Sequence, residues 1–162
     1  MSRVYRILRK KFAGSPFDGE GAYRYGGRWS SAGTRVSYAS EHQSLAMLEY
    51  FVHLDKDDPP DDLVLAIADI PAGVSRARLE PTHLPSHWRD PAAPSELARF
   101  GDEFAREARH CLLFVPSALA PSENNVLINP AHPDSKRIKL LDAEPLHYDP
   151  RLFSKPARRR HR

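Results

Sequence analysis

The chain has little of what marks several common classes of protein. It contains one cysteine, Cys111, in 162 residues, which excludes an internal disulfide framework. It has no apolar run of the ~18 residues that a membrane-spanning helix needs. The amino-terminal segment "MSRVYRILRKKF" is basic, but it lacks the apolar stretch and small-residue cleavage site of a signal peptide. We therefore expect a single globular domain in the cytoplasm, with no membrane partner.

Familiar catalytic and metal-binding motifs are also missing. The 8 histidines are scattered, and neither His-Glu-x-x-His nor Cys-x-x-Cys occurs, so we expect no metal site. The chain has no Gly-x-Ser-x-Gly elbow and no Walker loop. "GEGAYRYGG" contains Gly-x-Gly, but without the flanking strand and helix of a dinucleotide-binding fingerprint. Cys111 lies in the apolar run "HCLLFV", which favours an inert core thiol over a catalytic nucleophile.

Positive charge is concentrated at the carboxyl end of the chain. The net charge is +3, and the final residues "SKPARRRHR" contain lysine and arginine but no acidic residue. A segment with so few apolar side chains cannot offset the entropy cost of becoming ordered. We therefore predict a basic, disordered tail over residues 154–162 and a domain over residues 1–153. A contact between this tail and nucleic acid is the alternative, although no interleaved aromatic residues accompany it.

Strand-like and helix-like segments alternate along the chain, which predicts an α+β fold with mixed sheets and flanking helices. One helix is predicted from a Ser40 cap to about Leu54, with Gln43 completing a capping box, and a second is predicted from a Ser95 cap. Residues 9–25 and the proline-rich residues 80–94 are predicted as loops. Apolar runs predict strands at "VYRIL", "TRVSYAS", "LVLAIADI", "HCLLFVPS", "NNVLINP" and "RIKLLDAEPLHY".

Residues 26–49, "GGRWSSAGTRVSYASEHQSLAMLE", combine several chemically distinctive side chains. Arg28 follows two glycines and offers a planar fork suited to phosphate, whereas a surface ion pair is the simpler explanation. Tyr38 lies on a predicted strand, where its ring either stacks on a ligand or packs in the core. Glu49 projects near the apolar face of the predicted helix, and the simpler explanation is the solvent edge of that helix.

A second polar group follows one of the later predicted strands. Ser117 and Asn129 lie in "VPSALAPSENNVLINPAHPD", a segment with several prolines. Turn chemistry beside proline explains both residues without any function. A contribution to the same pocket as residues 26–49 is the functional alternative.

The chain resembles the RES-domain family. The blocks "VYRIL", "GGRWSSAGTRVSYAS", "SLAMLEYFVHL", "FVPSALAPSENNVLINPAHPD" and "HYDPRLF" occur in the order typical of that family. The family takes its name from an arginine, a glutamate and a serine, which match Arg28, Glu49 and Ser117. Phe104 stands where many relatives have tryptophan, and residues 55–62 and 80–94 match no family motif.

This resemblance implies a fold, an activity and a partner. RES-domain proteins are similar in fold to ADP-ribosyltransferases, consume NAD+ as a substrate without a metal, and are mostly toxins of bacterial toxin–antitoxin pairs. The implied partner is an Xre-like helix-turn-helix antitoxin. The implied catalytic residues are Glu49, Arg28 and Tyr38, and the implied substrate-binding residues are Arg28, Tyr38, Ser117 and Asn129. The acceptor of ADP-ribose stays open between water, phosphate and a bacterial protein.

The chemistry of NAD+ cleavage suits these residue types. Breaking the nicotinamide–ribose bond develops positive charge on the ribose, which a carboxylate such as Glu49 stabilises. Arg28 is expected to bind the pyrophosphate, Tyr38 to stack near the nicotinamide, and Ser117 to hydrogen-bond a phosphate or ribose oxygen. A non-enzymatic interaction module with a basic tail is the alternative from another class.

Overall fold

A computed structural model describes residues 2–153 of the chain. The predicted tail, residues 154–162, lies outside the described residues. Seven strands form a sheet in the order β4-β5-β6-β2-β1-β3-β7. The strands are β1 (Ser2–Arg9), β2 (Ser37–Ser40), β3 (Leu63–Ile70), β4 (Arg76–Arg78), β5 (Leu112–Pro116), β6 (Asn124–Ile128) and β7 (Lys139–Pro145).

Three α-helices accompany this sheet in the described part of the chain: α1 (Glu20–Tyr25), α2 (Gln43–Phe51) and α3 (Ala98–Glu107). All neighbouring strands are antiparallel except β4 and β5, which run parallel. This mixed sheet with flanking helices agrees with the predicted α+β class. Across residues 2–153, no helix combines the length and the apolar character that crossing a membrane requires.

Both predicted helix caps are wrong. Ser40 ends β2, where its hydroxyl donates to the side-chain oxygen of Asn125 (2.7 Å), so it is not available to cap α2. His42 takes the N-cap position without a side-chain hydrogen bond, and α2 ends at Phe51 rather than Leu54. Ser95 begins a 3-10 turn that leads into α3, again without a side-chain cap.

Two elements lie where no regular structure was predicted. Helix α1 falls within residues 9–25, which were predicted as loop, and Glu20 in its first turn pairs with Arg24 and Arg35. Strand β4 is a three-residue edge strand with two exposed arginines. Neither element has the apolar periodicity on which a prediction from sequence depends.

The sheet is divided at the junction of β1 and β2. Strand β1 pairs with β3 along its whole length, from Ser2 to Arg9. It pairs with β2 at a single position, Tyr5 opposite Ser40. The strands therefore form two half-sheets, β4-β5-β6-β2 and β1-β3-β7, which separate beyond that pair. Backbone groups that would otherwise join the two strands are left open to other partners there.

Each half-sheet carries its own helix. Helix α2 packs on the β1-β3-β7 half through a buried cluster that includes Ile7, Ala46 and Leu65. Helix α3 packs on the other half, around the buried side chains of Trp29 and Leu127. The two helices thus pack on different half-sheets, and α2 is the one of them that lines the cleft described below.

Candidate active site

A cleft of about 1260 Å³ opens at the division of the sheet. This volume exceeds the roughly 300–1,000 Å³ typical of sites for drug-sized ligands, so it has room for a dinucleotide. Residues of strands β1, β2 and β6, helices α1 and α2 and four loops line it, and the lining includes Arg28, Tyr38 and Glu49. The structure thus brings together three of the residues that the sequence singled out.

Glu49 is the most firmly held of these side chains. Its Oε1 accepts hydrogen bonds from the Ser117 hydroxyl and from the Asn125 side-chain amide, both at 2.7 Å. No group among residues 2–153 hydrogen-bonds the second oxygen, Oε2. The residue is half-buried and lines the cleft. One carboxylate oxygen is therefore fixed by the protein, and the other is available to a ligand.

Ser117 lies behind Glu49 rather than in the cleft. It is completely buried, and its hydroxyl accepts the backbone N–H groups of Leu119 and Ala120 (3.1 and 3.0 Å) while it donates to Glu49. These bonds agree with the turn chemistry, and a part for Ser117 in substrate binding stays a prediction. The structure gives Ser117 the task of orienting the carboxylate, since its only hydroxyl proton points to Glu49.

Tyr38 is half-buried, with its hydroxyl held at the cleft wall. The oxygen accepts the backbone N–H of Trp29 (3.1 Å) and lies 2.8 Å from the hydroxyl of the buried Ser30. A Cβ atom on Gly27 would lie 2.8 Å from this oxygen, so glycine is required for the close approach. Burial raises the pKa of Tyr38 to about 12, and the phenol is neutral at physiological pH.

Arg28 is anchored to the backbone of the loop 80–94. Its Nη1 donates to the carbonyl oxygen of Trp88 at 2.9 Å. No carboxylate of residues 2–153 lies within ion-pairing distance of the guanidinium, so the structure does not support a surface ion pair. Arg28 is half-buried and lines the cleft with its charge available to an anion.

Sequence reasoning missed Arg6, which lies in the division between the half-sheets. Its Nη1 donates to the backbone oxygen of Tyr38 and to the Ser37 hydroxyl, where a regular pair of strands would bond backbone to backbone. Its Nε is buried and has no hydrogen-bond partner within the described part of the chain. Burial lowers the pKa of Arg6, and the charge of Asp18 partly offsets this effect, but the guanidinium stays cationic.

A signal for Arg6 was present in the sequence. Val4 and Leu8, two positions away on either side in the strand, are buried apolar residues on the same face. An arginine between them interrupts the buried face of a strand, and buried charges need partners or a ligand. Asn125, which holds Glu49, gave no such signal because asparagine is common in turns near strand ends.

Asn129 does not lie in the cleft. Its side-chain oxygen accepts the backbone N–H of Ala131 (3.0 Å), and its amide donates to the carbonyl of Ala105 (3.4 Å). The residue is buried beside the end of α3. The geometry therefore fits the turn chemistry rather than substrate binding, because both polar ends of the amide are already used.

The loop 80–94, which matched no family motif, closes one side of the cleft. Besides the Trp88 carbonyl that receives Arg28, Arg89 donates from Nε to the backbone oxygen of Ala118 (3.0 Å). Arg89 and Pro91 both line the cleft. This loop therefore connects the Arg28 wall to the turn that follows Ser117.

Charge is distributed unevenly around the cleft. Arg6, Arg28 and Arg89 line it near the β1–β2 junction and the loop 80–94. The loop after α2 lines it with carboxylates, and Arg9 on that side is ion-paired with Asp62. A ligand with a negatively charged group is thus attracted to the arginine side. The lining carboxylates of the opposite loop are Asp55, Asp58 and Asp61.

Two further expectations concern metal and thiol chemistry. Residues 2–153 contain no cluster of three or more His, Cys, Asp or Glu side chains suited to a metal ion, and the absence of a metal stays a prediction. Cys111 is completely buried in the core. Burial, followed by the charge of Asp134, raises its pKa to about 11, so the thiol stays protonated and unreactive.

Comparison with solved structures places the fold. The chain matches a chain of the crystal structure of the M. tuberculosis MbcT–MbcA toxin–antitoxin complex with a TM-score of 0.74, covering 94% of this chain and 86% of that one. The two sequences are 17% identical, so the match concerns the fold alone. The match agrees with the α+β fold of this chain, in which a seven-stranded sheet is flanked by helices.

Comparison of sequences identifies the family. The model of the RES domain matches residues 3–149, so the chain belongs to the RES domain family. It is 37% identical over 148 residues to the "Prs ADP-ribosylating toxin" of Sphingobium sp. (strain YBL2), covering 90% of this chain and 92% of that protein. It is 39% identical over 150 residues to a "Toxin Res" of Pseudomonas putida (strain KT2440), covering 91% and 99%. The resemblance drawn from the sequence blocks is confirmed.

Proposed function

We propose that this protein is the toxin of a bacterial toxin–antitoxin pair and that it cleaves the nicotinamide–ribose bond of NAD+. The observation that carries the proposal is the Glu49 carboxylate, which lines the cleft and is held at one oxygen by Ser117 and Asn125, while no group of residues 2–153 hydrogen-bonds the other. The names of the relatives as toxins, one of them ADP-ribosylating, agree with this activity.

Different charged groups of the cleft are proposed to bind different parts of the substrate. Arg6 and Arg28 stand on the arginine side and suit the two negative phosphates of NAD+. Arg6 places its positive charge at the β1–β2 junction of the cleft, where it attracts the pyrophosphate. Arg28 is restrained by Trp88, so less entropy is lost when it binds.

Glu49 and Tyr38 act at the reacting end. As the bond between the ribose C1′ and the nicotinamide nitrogen breaks, its electron pair leaves with nicotinamide and positive charge develops on the ribose. Oε2 of Glu49 stabilises that charge, and Oε1 is prevented from turning away by its two donors. The neutral ring of Tyr38, fixed through its hydroxyl, supplies a flat wall for the nicotinamide or its ribose.

Three acceptors for the ADP-ribose remain in the proposal: water, phosphate or a bacterial protein. Transfer to a protein has the support of the name of the Sphingobium relative. Incubation of purified protein with labelled NAD+, alone, with inorganic phosphate, and with an antitoxin-free bacterial lysate separates them. Free ADP-ribose, a phosphorylated ADP-ribose or a labelled protein band is the respective product. Absence of nicotinamide release in all three mixtures would favour the non-enzymatic interaction module.

The partner proposed for this toxin is an Xre-like helix-turn-helix antitoxin. The open cleft offers a surface that such a protein can cover, and the solved structural neighbour is a toxin–antitoxin complex. Co-purification of the chain with the product of an adjacent gene, with loss of nicotinamide release in the complex, is the expected result. Full activity in a stable complex would contradict inhibition at the cleft.

A further inference from the structure

The residues that carry Arg28 form a loop with little regular structure. We call residues 27–34 the site loop. Within it, a bridge joins Gly27 to Ser30, whose backbone atoms bond at 2.9 Å. The site loop also supplies both partners of the Tyr38 hydroxyl, Trp29 and Ser30. The positions of two candidate substrate-binding side chains therefore depend on whatever holds this loop in place.

Asp102, in the first half of α3, holds the site loop at its other end. Its Oδ1 accepts the backbone N–H of Ser31 (2.9 Å) and the Thr34 hydroxyl (2.7 Å), and its Oδ2 accepts the Ser31 hydroxyl (2.6 Å). Burial alone would raise the pKa of Asp102, but the hydrogen bonds from Ser31 and Thr34 outweigh it and lower that pKa. Hydrogen bonds to an ionised carboxylate are shorter and stronger than neutral ones.

The residue before Asp102 brings α3 directly against the loop. A Cβ atom on Gly101 would lie 2.0 Å from the backbone oxygen of Trp29, so only glycine permits this contact. The Trp29 ring is buried between Trp88 and Phe100, with ring centroids 6.3 and 6.4 Å away. Helix α3 thus touches the site loop through backbone, side chain and carboxylate.

We infer that Asp102 is a positioning residue for the cleft, acting on Arg28 and Tyr38 through the site loop. Asp102 itself does not line the cleft. Only the expected effect of Asp102 on turnover rests on the proposed function. Without the carboxylate, the backbone N–H and hydroxyl of Ser31 and the hydroxyl of Thr34 lose their acceptor and hydrogen-bond to water instead. A displacement of about 1 Å in a substrate-binding group lowers catalysis by as much as ~100-fold.

The test compares Asp102→Ala and Asp102→Asn with a matched control, Asp134→Ala. Asp134 also accepts a backbone N–H, that of Ser75 at 2.9 Å, and its pKa is likewise lowered by that bond, but it lies away from the site loop. We expect Asp102→Ala to lower kcat/KM for nicotinamide release by about 10- to 100-fold, chiefly through KM. Asp102→Asn keeps one acceptor and should recover part of that loss. Asp134→Ala should stay within about twofold of wild type.

A second readout does not depend on activity. The chain has 2 tryptophans, and both lie in one buried cluster: Trp29 belongs to the site loop, and Trp88 packs against it. Asp102→Ala should shift their fluorescence to longer wavelength and increase quenching by acrylamide, at a temperature well below unfolding. Asp134→Ala should leave the spectrum unchanged at the same fraction folded.

These two readouts separate the possible failures. Wild-type protein that releases no nicotinamide contradicts the proposed function, and the role of Asp102 in holding the loop is then decided by fluorescence alone. An unchanged spectrum in Asp102→Ala overturns that role. If wild type is active and Asp102→Ala shows a shifted spectrum but the same kcat/KM as Asp134→Ala, Asp102 holds the loop without positioning Arg28 and Tyr38. That result would overturn the inference.

Discussion

Arg28 and Glu49 are each restrained by part of their hydrogen-bonding groups, Arg28 as a donor and Glu49 as an acceptor. Arg28 gives one donor to the Trp88 carbonyl and keeps its other donors for a ligand, whereas Glu49 receives two donors at one oxygen and keeps the other free. Each side chain thus loses little freedom when a substrate binds, which is the usual basis of preorganisation. The restraint on each comes from a residue that is distant in sequence.

Arg28→Lys tests the geometry of the cation. Lysine keeps the charge but lacks the planar fork that binds two phosphate oxygens at once. We expect weaker NAD+ binding by calorimetry, by about 10-fold, with an unchanged midpoint of thermal unfolding. Arg24→Lys, at an exposed ion pair on α1, is the control and should bind NAD+ normally. Equal NAD+ affinities of the two variants would show that Arg28 does not bind NAD+.

Tyr38 gives a prediction about alkaline pH. Its pKa in the folded protein is about 12, above the ordinary value of 10.0, chiefly because of burial. A group with a raised pKa contributes stability that is complete below the unfolded pKa and is lost as the pH rises through the folded one. The free energy of unfolding of the wild type should therefore fall, relative to Tyr38→Phe, between about pH 10 and pH 12. Parallel curves for the two proteins in urea titrations would show that Tyr38 is not buried as described.

Among the elements, β1 and β2 explain why the cleft exists. A single cross-strand pair joins them, and the guanidinium of Arg6 occupies the place of the next backbone contacts. Helices α2 and α3 then pack on separate half-sheets; α2 carries Glu49 into the cleft, and α3 contacts the site loop. The cleft is thus a product of incomplete pairing rather than of an inserted loop.

Gly101→Ala tests the packing of α3 at the element scale. The added Cβ atom would lie 2.0 Å from a backbone oxygen, which cannot turn aside as a flexible side chain does. We expect a loss of about 1–3 kcal/mol or more in the free energy of unfolding, measured in urea. Gly14→Ala is the matched control, because nothing lies within 4 Å of its Cβ position, and it should unfold like the wild type. Equal stability of both variants would mean that α3 does not lie against Trp29.

The sequence predicted those elements whose apolar pattern was strong. Leu63–Ile70 was found as a strand because a continuous apolar run needs burial on both faces. The cap at Ser40 failed because the hydroxyl bonds across the sheet to Asn125, a partner 85 residues away. The contacts of Ser117 with Glu49 and of Arg6 with Tyr38 are likewise long-range, and spacing along the chain carries no information about them.

At the scale of the whole molecule, the cleft is polarised. Arginines of β1, the site loop and the loop 80–94 line it, aspartates of the loop after α2 line it elsewhere, and Glu49 lines it from α2. NAD+ has a matching polarity, because its pyrophosphate is negative and its nicotinamide ring is positive. Under the proposed function, opposed charges along the cleft favour a single direction of NAD+ binding, with the scissile bond at Glu49.

Nicotinamide release by wild type and Glu49→Gln measures the central claim most directly. Glutamine keeps an oxygen that accepts from Ser117 and Asn125, so the fold and NAD+ binding should be retained while the negative charge is lost. We predict that kcat falls by about 100-fold or more, with the thermal unfolding midpoint and the NAD+ affinity close to those of the wild type. Near-normal nicotinamide release by Glu49→Gln would contradict the assignment of Glu49 as the group that stabilises the developing positive charge.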